Sequence, residues 1–211
     1  MNAIPKSGYR LPNRLARISL LTLEEMTGSN EWQALLNLAQ LEPLIDELPP
    51  PNLARGFDFS DYAELNMAME SMYGERGGRS LALRAGRAIV ARAGDSFGPV
   101  GGISIAIFKR LPLPLRLKLG ARILARVFNS ISDQRTRIEE HEHALHYLVL
   151  RNPVCWGRRD EEKPVCELQV GLLQEFLVRL SGGREFRVDE SECKASGAAA
   201  CRFVIQKQPV S

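Results

Sequence analysis

Two stretches, PVCELQVGLLQEF (residues 164–176) and REFRVDESECKASGAAACRFVIQ (residues 184–206), decide how the C-terminal part of the chain folds. The first begins an amphipathic helix predicted over residues 165–180, with Gly182 and Gly183 as its stop. The second predicts two strands, residues 185–189 and 201–206, joined by a turn around Gly197. A helix followed by a hairpin is therefore expected here.

The same stretches hold three thiols and one carboxylate at a spacing that suits a metal ion. Cys166 lies near the start of the predicted helix, and Glu190-x-x-Cys193 is followed after seven residues by Cys201. Thiolates and a carboxylate are ligands that zinc accepts in four-coordinate sites. The spacing predicts a zinc ion that joins the hairpin to the start of the helix.

Strand alternation supports this prediction, because it places Glu190 and Cys201 on apolar faces of their strands. A lone buried carboxylate is destabilising, and a metal ion would remove that penalty. Two other interpretations remain open. The cysteines can be small core residues, or Cys193 and Cys201 can form a redox pair.

The rest of the chain reads as helices first and strands later. Helices are predicted from Pro12 to about Gly28 and over residues 30–41, 60–74, 80–93 and 113–131, and strands over residues 137–142 and 145–150. This order predicts an α+β fold with helices packed on a mostly antiparallel sheet. The stiff segment LPPPN (residues 48–52) marks a boundary between an N-terminal helical extension, residues 1–52, and the main domain, residues 53–211.

Composition excludes several classes of protein. The chain has 211 residues, of which 45% are hydrophobic and 25% charged, as in globular proteins, and its net charge of +3 does not indicate a nucleic-acid partner. The first thirty residues lack a signal-peptide pattern, and the longest uncharged apolar run, residues 98–108, is too short to span a bilayer. We therefore expect a cytoplasmic protein with no membrane span, in which the four cysteines are thiols or metal ligands.

Several motifs together resemble the 4-vinyl reductase (hydrocarbon-binding) domain family, over roughly residues 57–209. They are PVCWGR (153–158), PVC (164–166), GLL (171–173), SGG (181–183), VDE (188–190), CKASG (193–197) and CRFVI (201–205). This family is related to the sensor domain of phenol- and toluene-responsive activators. It is related more distantly to haem nitric-oxide-binding domains and to the Bet subunits of the TRAPP tethering complex, which share the NO-signalling/Golgi-transport ligand-binding fold.

The resemblance implies an apolar cavity for a small hydrophobic molecule, such as an aromatic compound or a tetrapyrrole, and a homodimer. It also implies a structural zinc ion held by Cys166, Glu190, Cys193 and Cys201. Cys155 has no place in that ligand set, and we expect it to be a free or core thiol. No residues that bind the small molecule can be assigned.

The remaining motifs do not indicate catalysis. There is no nucleophile elbow, phosphate loop or dinucleotide fingerprint, so no catalytic residue is predicted. His141 and His143 are expected on a solvated polar strand edge with His146 nearby, and the alternative is a second metal site. The leading hypothesis is a zinc-braced binding protein that acts as a sensor, carrier or chaperone. The alternatives are an enzyme or accessory factor of chlorophyll or tetrapyrrole metabolism, and an assembly module of the tethering-subunit type.

Overall fold

Helices come first along the chain and most of the sheet comes last, as the computed structural model shows for residues 4–97 and 111–210. The uncharged run of residues 98–108 falls outside the described residues. The elements in chain order are β1 (Arg10–Pro12), α1 (Asn13–Thr27), α2 (Ser29–Leu38), α3 (Pro43–Asp46), β2 (Arg55–Asp58), α4 (Phe59–Phe97), α5 (Leu113–Ile131), β3 (Arg135–Glu140), β4 (Ala144–Arg151), α6 (Glu167–Ser181), β5 (Phe186–Glu192) and β6 (Cys201–Pro209).

The main sheet has the strand order β3-β4-β6-β5, and every neighbouring pair is antiparallel. Alternation along β4 buries Leu145, Tyr147 and Val149 on one face of the sheet. Phe203 on β6 and Val188 on β5 extend this face, and helices α5 and α6 pack against it. The predicted α+β fold with a mostly antiparallel sheet is confirmed.

The N-terminal segment joins the rest of the chain through a small second sheet. Strands β1 and β2 are antiparallel, with Leu11 paired with Phe57. Pro12 precedes α1 and Gly28 follows it with φ 86°, as the proline and glycine positions predicted. Helix α1 packs against α4. The boundary after residue 52 stays a prediction.

Helix α4 breaks at Gly74, whose backbone angles (φ 72°, ψ 164°) are not helical. Glycine adopts this conformation without steric strain, because it has no Cβ atom. The break explains why the sequence indicated two helices here, and the second of them begins directly after the break rather than at residue 80.

Helices α4 and α6 touch along their backbones at two glycines. A Cβ atom added to Gly86 would lie 2.0 Å from the carbonyl oxygen of Leu168, and one added to Gly171 would lie 1.9 Å from that of Leu83. Neither position has room for a side chain. This close contact fixes α6, and with it the residue at its N-terminus, against the long helix.

Two boundaries differ from the sequence predictions in ways that affect the sites. Strand β3 ends at Glu140, so His141 and His143 lie in the β3–β4 connection and not on a common strand face. Helix α6 begins at Glu167, so Cys166 is its N-cap and not part of its first turn. Both differences move a chemically active side chain from a regular element to its end.

Candidate metal centre

The four cysteines of the chain meet at one end of the main sheet. Cys155 comes from the segment after β4, Cys166 caps α6, Cys193 follows β5 and Cys201 begins β6. All four are buried, with 3% exposure for Cys155 and 1% or less for the others. They are free thiols. Elements that lie far apart in sequence therefore supply one cluster of sulfur atoms.

A tight turn sets the two C-terminal thiols side by side. The N–H groups of Ser196 and Ala198 both donate to the carbonyl oxygen of Cys193, at 3.1 Å each. Gly197 has φ 89°, a left-handed conformation that glycine adopts easily. The turn reverses the chain, and the Sγ atoms of Cys193 and Cys201 lie 3.9 Å apart.

The distances between the sulfur atoms fit a tetrahedral metal ion. Sγ of Cys201 lies 3.5 Å from Sγ of Cys155 and 3.9 Å from Sγ of Cys166, and Sγ of Cys166 lies 3.8 Å from Sγ of Cys193. The four ligand atoms all lie within 4.8 Å of one another. With Zn–S bonds of about 2.3 Å, the edge of a regular tetrahedron is about 3.8 Å. The residues present therefore suit a zinc ion in both chemistry and spacing.

Hydrogen-bond donors point at the sulfur atoms. Asn152 Nδ2 donates to Cys166 Sγ at 3.3 Å, and the Lys194 N–H donates to Cys201 Sγ at 3.4 Å. Asn152 is itself fixed, because its Oδ1 accepts the Val154 N–H at 3.0 Å. Such donors stabilise thiolate charge, and groups of this kind orient the ligands in metal sites.

Glu190 lies beside the cluster rather than within the group of four sulfur atoms. Its Oε2 accepts the Cys166 N–H at 2.8 Å, and its Oε1 is buried without a hydrogen-bond partner. Burial, followed by the charges on Cys201 and Cys193, raises the pKa of Glu190 to about 10. A cation at the cluster would reverse the effect of those charges. Glu190 can therefore position Cys166 or act as a further ligand.

Without a metal ion, the cluster divides charge unequally among its thiols. Hydrogen bonds from neighbouring thiols, that of Cys155 first, lower the pKa of both Cys193 and Cys201. Burial raises the pKa of Cys166. The bond with Cys166 lowers the pKa of Cys155, but its bonds to Cys193 and Cys201, with burial, make the net change upward. The cluster thus presents two thiolates and two thiols, and a cation would favour release of the remaining protons.

The structure brings together three of the four predicted ligands and adds a residue that sequence reasoning set aside. Cys155 belongs to the cluster and is the nearest neighbour of Cys201 among the sulfur distances given above. The available signal was the total of four cysteines in the chain, which equals the number of donors in a complete thiolate site. The ligand set with Glu190 stays a prediction.

The three histidines lie away from this cluster, around the β3–β4 connection. The rings of His141 and His146 are 3.9 Å apart between centroids, and Glu139 lies next to them. Burial, then His141 and Arg202, lower the pKa of His146. His143 is exposed and lies 3.6 Å from Glu142.

Two clefts open on the surface of the described residues. The larger, of about 410 Å³, combines apolar and polar lining: Lys6, Asn13, Gln40, Leu41, Pro43, Leu44, Glu47, Leu48, Pro49, Pro50, Gly56, Phe57 and Asp61. The smaller, of about 350 Å³, is lined by Glu70, Glu75, Arg79, Asp160, Glu161, Glu162 and Lys163. The first has the size and mixed lining of a small-molecule site. None of the described helices combines the length and apolar character needed to cross a bilayer.

Comparison with known proteins confirms the resemblance seen in the sequence. Residues 145–207, which include all four cysteines and Glu190, match the model of the 4-vinyl reductase domain family. Residues 57–144 of the predicted resemblance lie outside that match. A search of curated protein sequences gives no significant match.

Solved structures of H-NOX proteins share the fold of nearly the whole chain. An Fe(II) unliganded H-NOX protein from K. algicida aligns with a TM-score of 0.61 and 11% identity, covering 95% of this chain and 97% of that one. An H-NOX protein from S. oneidensis in the Fe(II)NO ligation state gives 0.59 and 11%, covering 92% and 99%. An oxygen-binding H-NOX domain related to soluble guanylate cyclases gives 0.57 and 15%, covering 92% and 94%. At these identities the likeness establishes the fold.

Proposed function

From the family match over residues 145–207 we propose that this protein binds a small molecule and that a structural zinc ion braces its sheet. In this proposal it acts as a sensor, carrier or chaperone rather than as an enzyme. The observation that carries the zinc proposal is the set of four buried sulfur atoms, with separations of 3.5–3.9 Å in four of their pairs.

Burial and donor number both support a structural role for the metal ion. Four protein ligands complete the tetrahedral shell of zinc and leave no position for a substrate. The cysteines are almost wholly shielded from solvent, which a catalytic metal would not tolerate. Zinc would also neutralise thiolate charge that is destabilising in a buried site. We therefore propose that the ion holds the end of the sheet together and takes no part in chemistry.

Cys166, Cys193 and Cys201 are common to the two ligand sets under consideration, which differ in the fourth donor. The resemblance implies Glu190 at that position, whereas the separations favour Cys155, whose Sγ lies 3.5 Å from that of Cys201. In a site of four thiolates, Glu190 would accept the Cys166 N–H and orient the N-cap of α6. We propose the four-thiolate site, with Glu190 as the residue that positions Cys166.

The test compares Cys155→Ser and Glu190→Gln with the wild type in protein purified without a tag. Elemental mass spectrometry gives zinc per chain, and cobalt substitution reports the number of thiolates through the intensity of the sulfur-to-cobalt charge-transfer band. We expect about one zinc in the wild type, loss in Cys155→Ser and retention in Glu190→Gln. Loss only in Glu190→Gln would assign the fourth position to the carboxylate. No zinc in the wild type would overturn the proposal.

Haem does not fit the residues that this chain offers. Haem iron needs an axial ligand, most often a histidine or a cysteine. The three histidines lie around the β3–β4 connection, and all four cysteines lie in the sulfur cluster. The H-NOX structures are described as holding iron with NO or oxygen, but this chain shares only their fold. We therefore infer an organic ligand that needs no iron.

The cleft of about 410 Å³ is the site that we propose for such a ligand. Leu44, Leu48 and Phe57 supply apolar surface, while Lys6 and Gln40 can orient a polar group. These features suit a small aromatic molecule with one polar substituent.

Fluorescence of anilinonaphthalene sulfonate, which is apolar with one charged group, tests this cleft. We expect saturable binding that Leu44→Trp weakens about tenfold by filling the cleft, a change of about 1.4 kcal/mol. Leu38→Trp is the matched control, because Leu38 is 43% exposed on α2 and does not line the cleft. Equal effects of the two variants would rule out this location.

The homodimer implied by the resemblance is also a proposal. Leu38, Ile45 and Leu53 are exposed apolar side chains on the N-terminal part of the chain, where they would suit a contact between helical faces. Light scattering after size-exclusion chromatography would give the mass, and a monomer at all concentrations would contradict the proposal.

A further inference from the structure

A second group of metal-binding side chains lies at the β3–β4 hairpin. Glu139 and His146 are directly paired across the two strands, and His141 follows β3 at the turn. One donor atom from each of the three lies within 4.8 Å of the others. Because Leu145 and Tyr147 face the core, His146 faces the opposite side of the sheet. The group is therefore open to solvent and separate from the buried cysteines.

A side-chain cation already binds two of these donors. Arg202 Nη1 lies 3.0 Å from His146 Nδ1 and 3.3 Å from Glu139 Oε2. The guanidinium also has a partner elsewhere, because its Nε lies 3.2 Å from Glu192 Oε1 on the neighbouring strand. Arg202 can therefore leave His146 and Glu139 and still keep an ion pair.

We propose that Glu139, His141 and His146 form an exchangeable site for a borderline divalent cation such as Zn²⁺, and that Arg202 competes with the cation for this site. Two imidazoles and a carboxylate are a donor set that zinc uses when it keeps an open position. Imidazole also selects zinc, copper and nickel over magnesium and calcium. Water would complete the coordination, since His141 is exposed.

The surrounding charges predict that binding is weak in the wild type. Both oxygens of Glu139 are already paired, Oε1 with Arg137 at 3.1 Å and Oε2 with Arg202. A divalent cation must displace at least one guanidinium, and the positive charge of the other opposes it. Removing the charge of Arg202 should therefore tighten binding, whereas loss of an ordinary structural contact would not.

The hairpin offers a matched pair of histidines for the experiment. His141 belongs to the proposed site, and His143, two residues away and also exposed, does not. Isothermal titration of ZnCl₂ into protein that has first been saturated at its cysteines and freed of excess zinc gives the second binding event. Imidazole resonances in NMR spectra identify the histidines that bind.

We expect one additional zinc per chain with shifts at His141 and His146. His141→Gln should weaken this event at least about tenfold, as loss of a ligand does, and His143→Gln should leave it unchanged. Arg202→Gln should tighten it about fivefold, from removal of one nearby charge in water. Absence of a second event, equal loss in both histidine variants, or weaker binding in Arg202→Gln would overturn the proposal. Zinc content before the titration reports the cysteine centre separately.

Discussion

Replacing Arg158 with methionine tests how strongly one buried ion pair holds the segment that carries Cys155. The Arg158 side chain is 4% exposed and donates to both carboxylate oxygens of Glu70 on α4, at 2.9 Å each. It also donates to Glu161 Oε1 at 3.0 and 2.8 Å. Burial lowers the pKa of Arg158, but the bonds to Glu70 and Glu161 outweigh it and raise the pKa overall. The guanidinium is thus charged and fully paired.

The size of the effect follows from the groups that the substitution leaves behind. Removing one partner of a buried ion pair typically destabilises a protein by about 3–5 kcal/mol, because the other charge stays buried and unpaired. The carboxylates of Glu70 and Glu161 keep 18% and 29% exposure, so we expect the lower end, about 3 kcal/mol. For a chain of this length that corresponds to a fall in Tm of about 6–12 °C.

Urea denaturation of Arg158→Met beside Arg92→Met measures the effect against a matched control. Arg92 makes the same two-pronged contact, with both oxygens of Glu25 at 2.6 Å, but the Glu25 side chain is 65% exposed. An exposed pair contributes little, so Arg92→Met should show no resolved change. Adding Glu70→Leu to Arg158→Met should restore part of the loss by removing an unpaired charge. Equal effects of the two arginine variants would refute the reasoning.

Three further outcomes are expected. Gly171→Ala should lower the free energy of unfolding by about 2 kcal/mol or more, because its Cβ would lie 1.9 Å from the Leu83 carbonyl oxygen; Gly120→Ala, which meets only the flexible end of Leu180, should lower it by about 1 kcal/mol or less in the same urea titration. Burial acts to raise the pKa of Asp58, but bonds from Ser7 and Ser60 lower it to about 2; the stability from this carboxylate should therefore be lost as pH falls from about 4 to about 2 in wild-type thermal melts, and this loss should be missing in Asp58→Asn. All four thiols should resist a thiol reagent until a chelator is added, and rapid reaction without the chelator would contradict a metal-filled centre.

The sequence predicted the elements whose signals are local. Helix α5 has the predicted bounds, because an apolar stripe and Pro112 before it mark both its face and its start. The inward face of β5 was also predicted correctly, since alternation alone places Phe186 and Val188 in the core. In these cases the periodicity of the residues and the terminal signals agree.

Features that depend on contacts distant in sequence were not predicted. Strands β1 and β2 pair across about 45 residues and are too short to show alternation. Cys155 lies in an irregular segment between β4 and α6, and its path depends on Arg158 reaching α4. No spacing rule contains that contact, so the fourth thiol could be counted from the sequence but not placed.

The position of the sulfur cluster explains why a metal ion would stabilise this end of the sheet. The segments between its cysteines span 11, 27 and 8 residues, and those around Cys155 and Cys193 are largely irregular. Closing each loop restricts the unfolded chain, while the cost grows only slowly with loop length. Apolar packing holds α6 firmly against α4 at Gly171, but it gives the residues before Cys166 no comparable support. One zinc ion at the N-cap of α6 would therefore fix the segment after β4, β5 and β6 to a helix that is already immobile, without requiring a larger core.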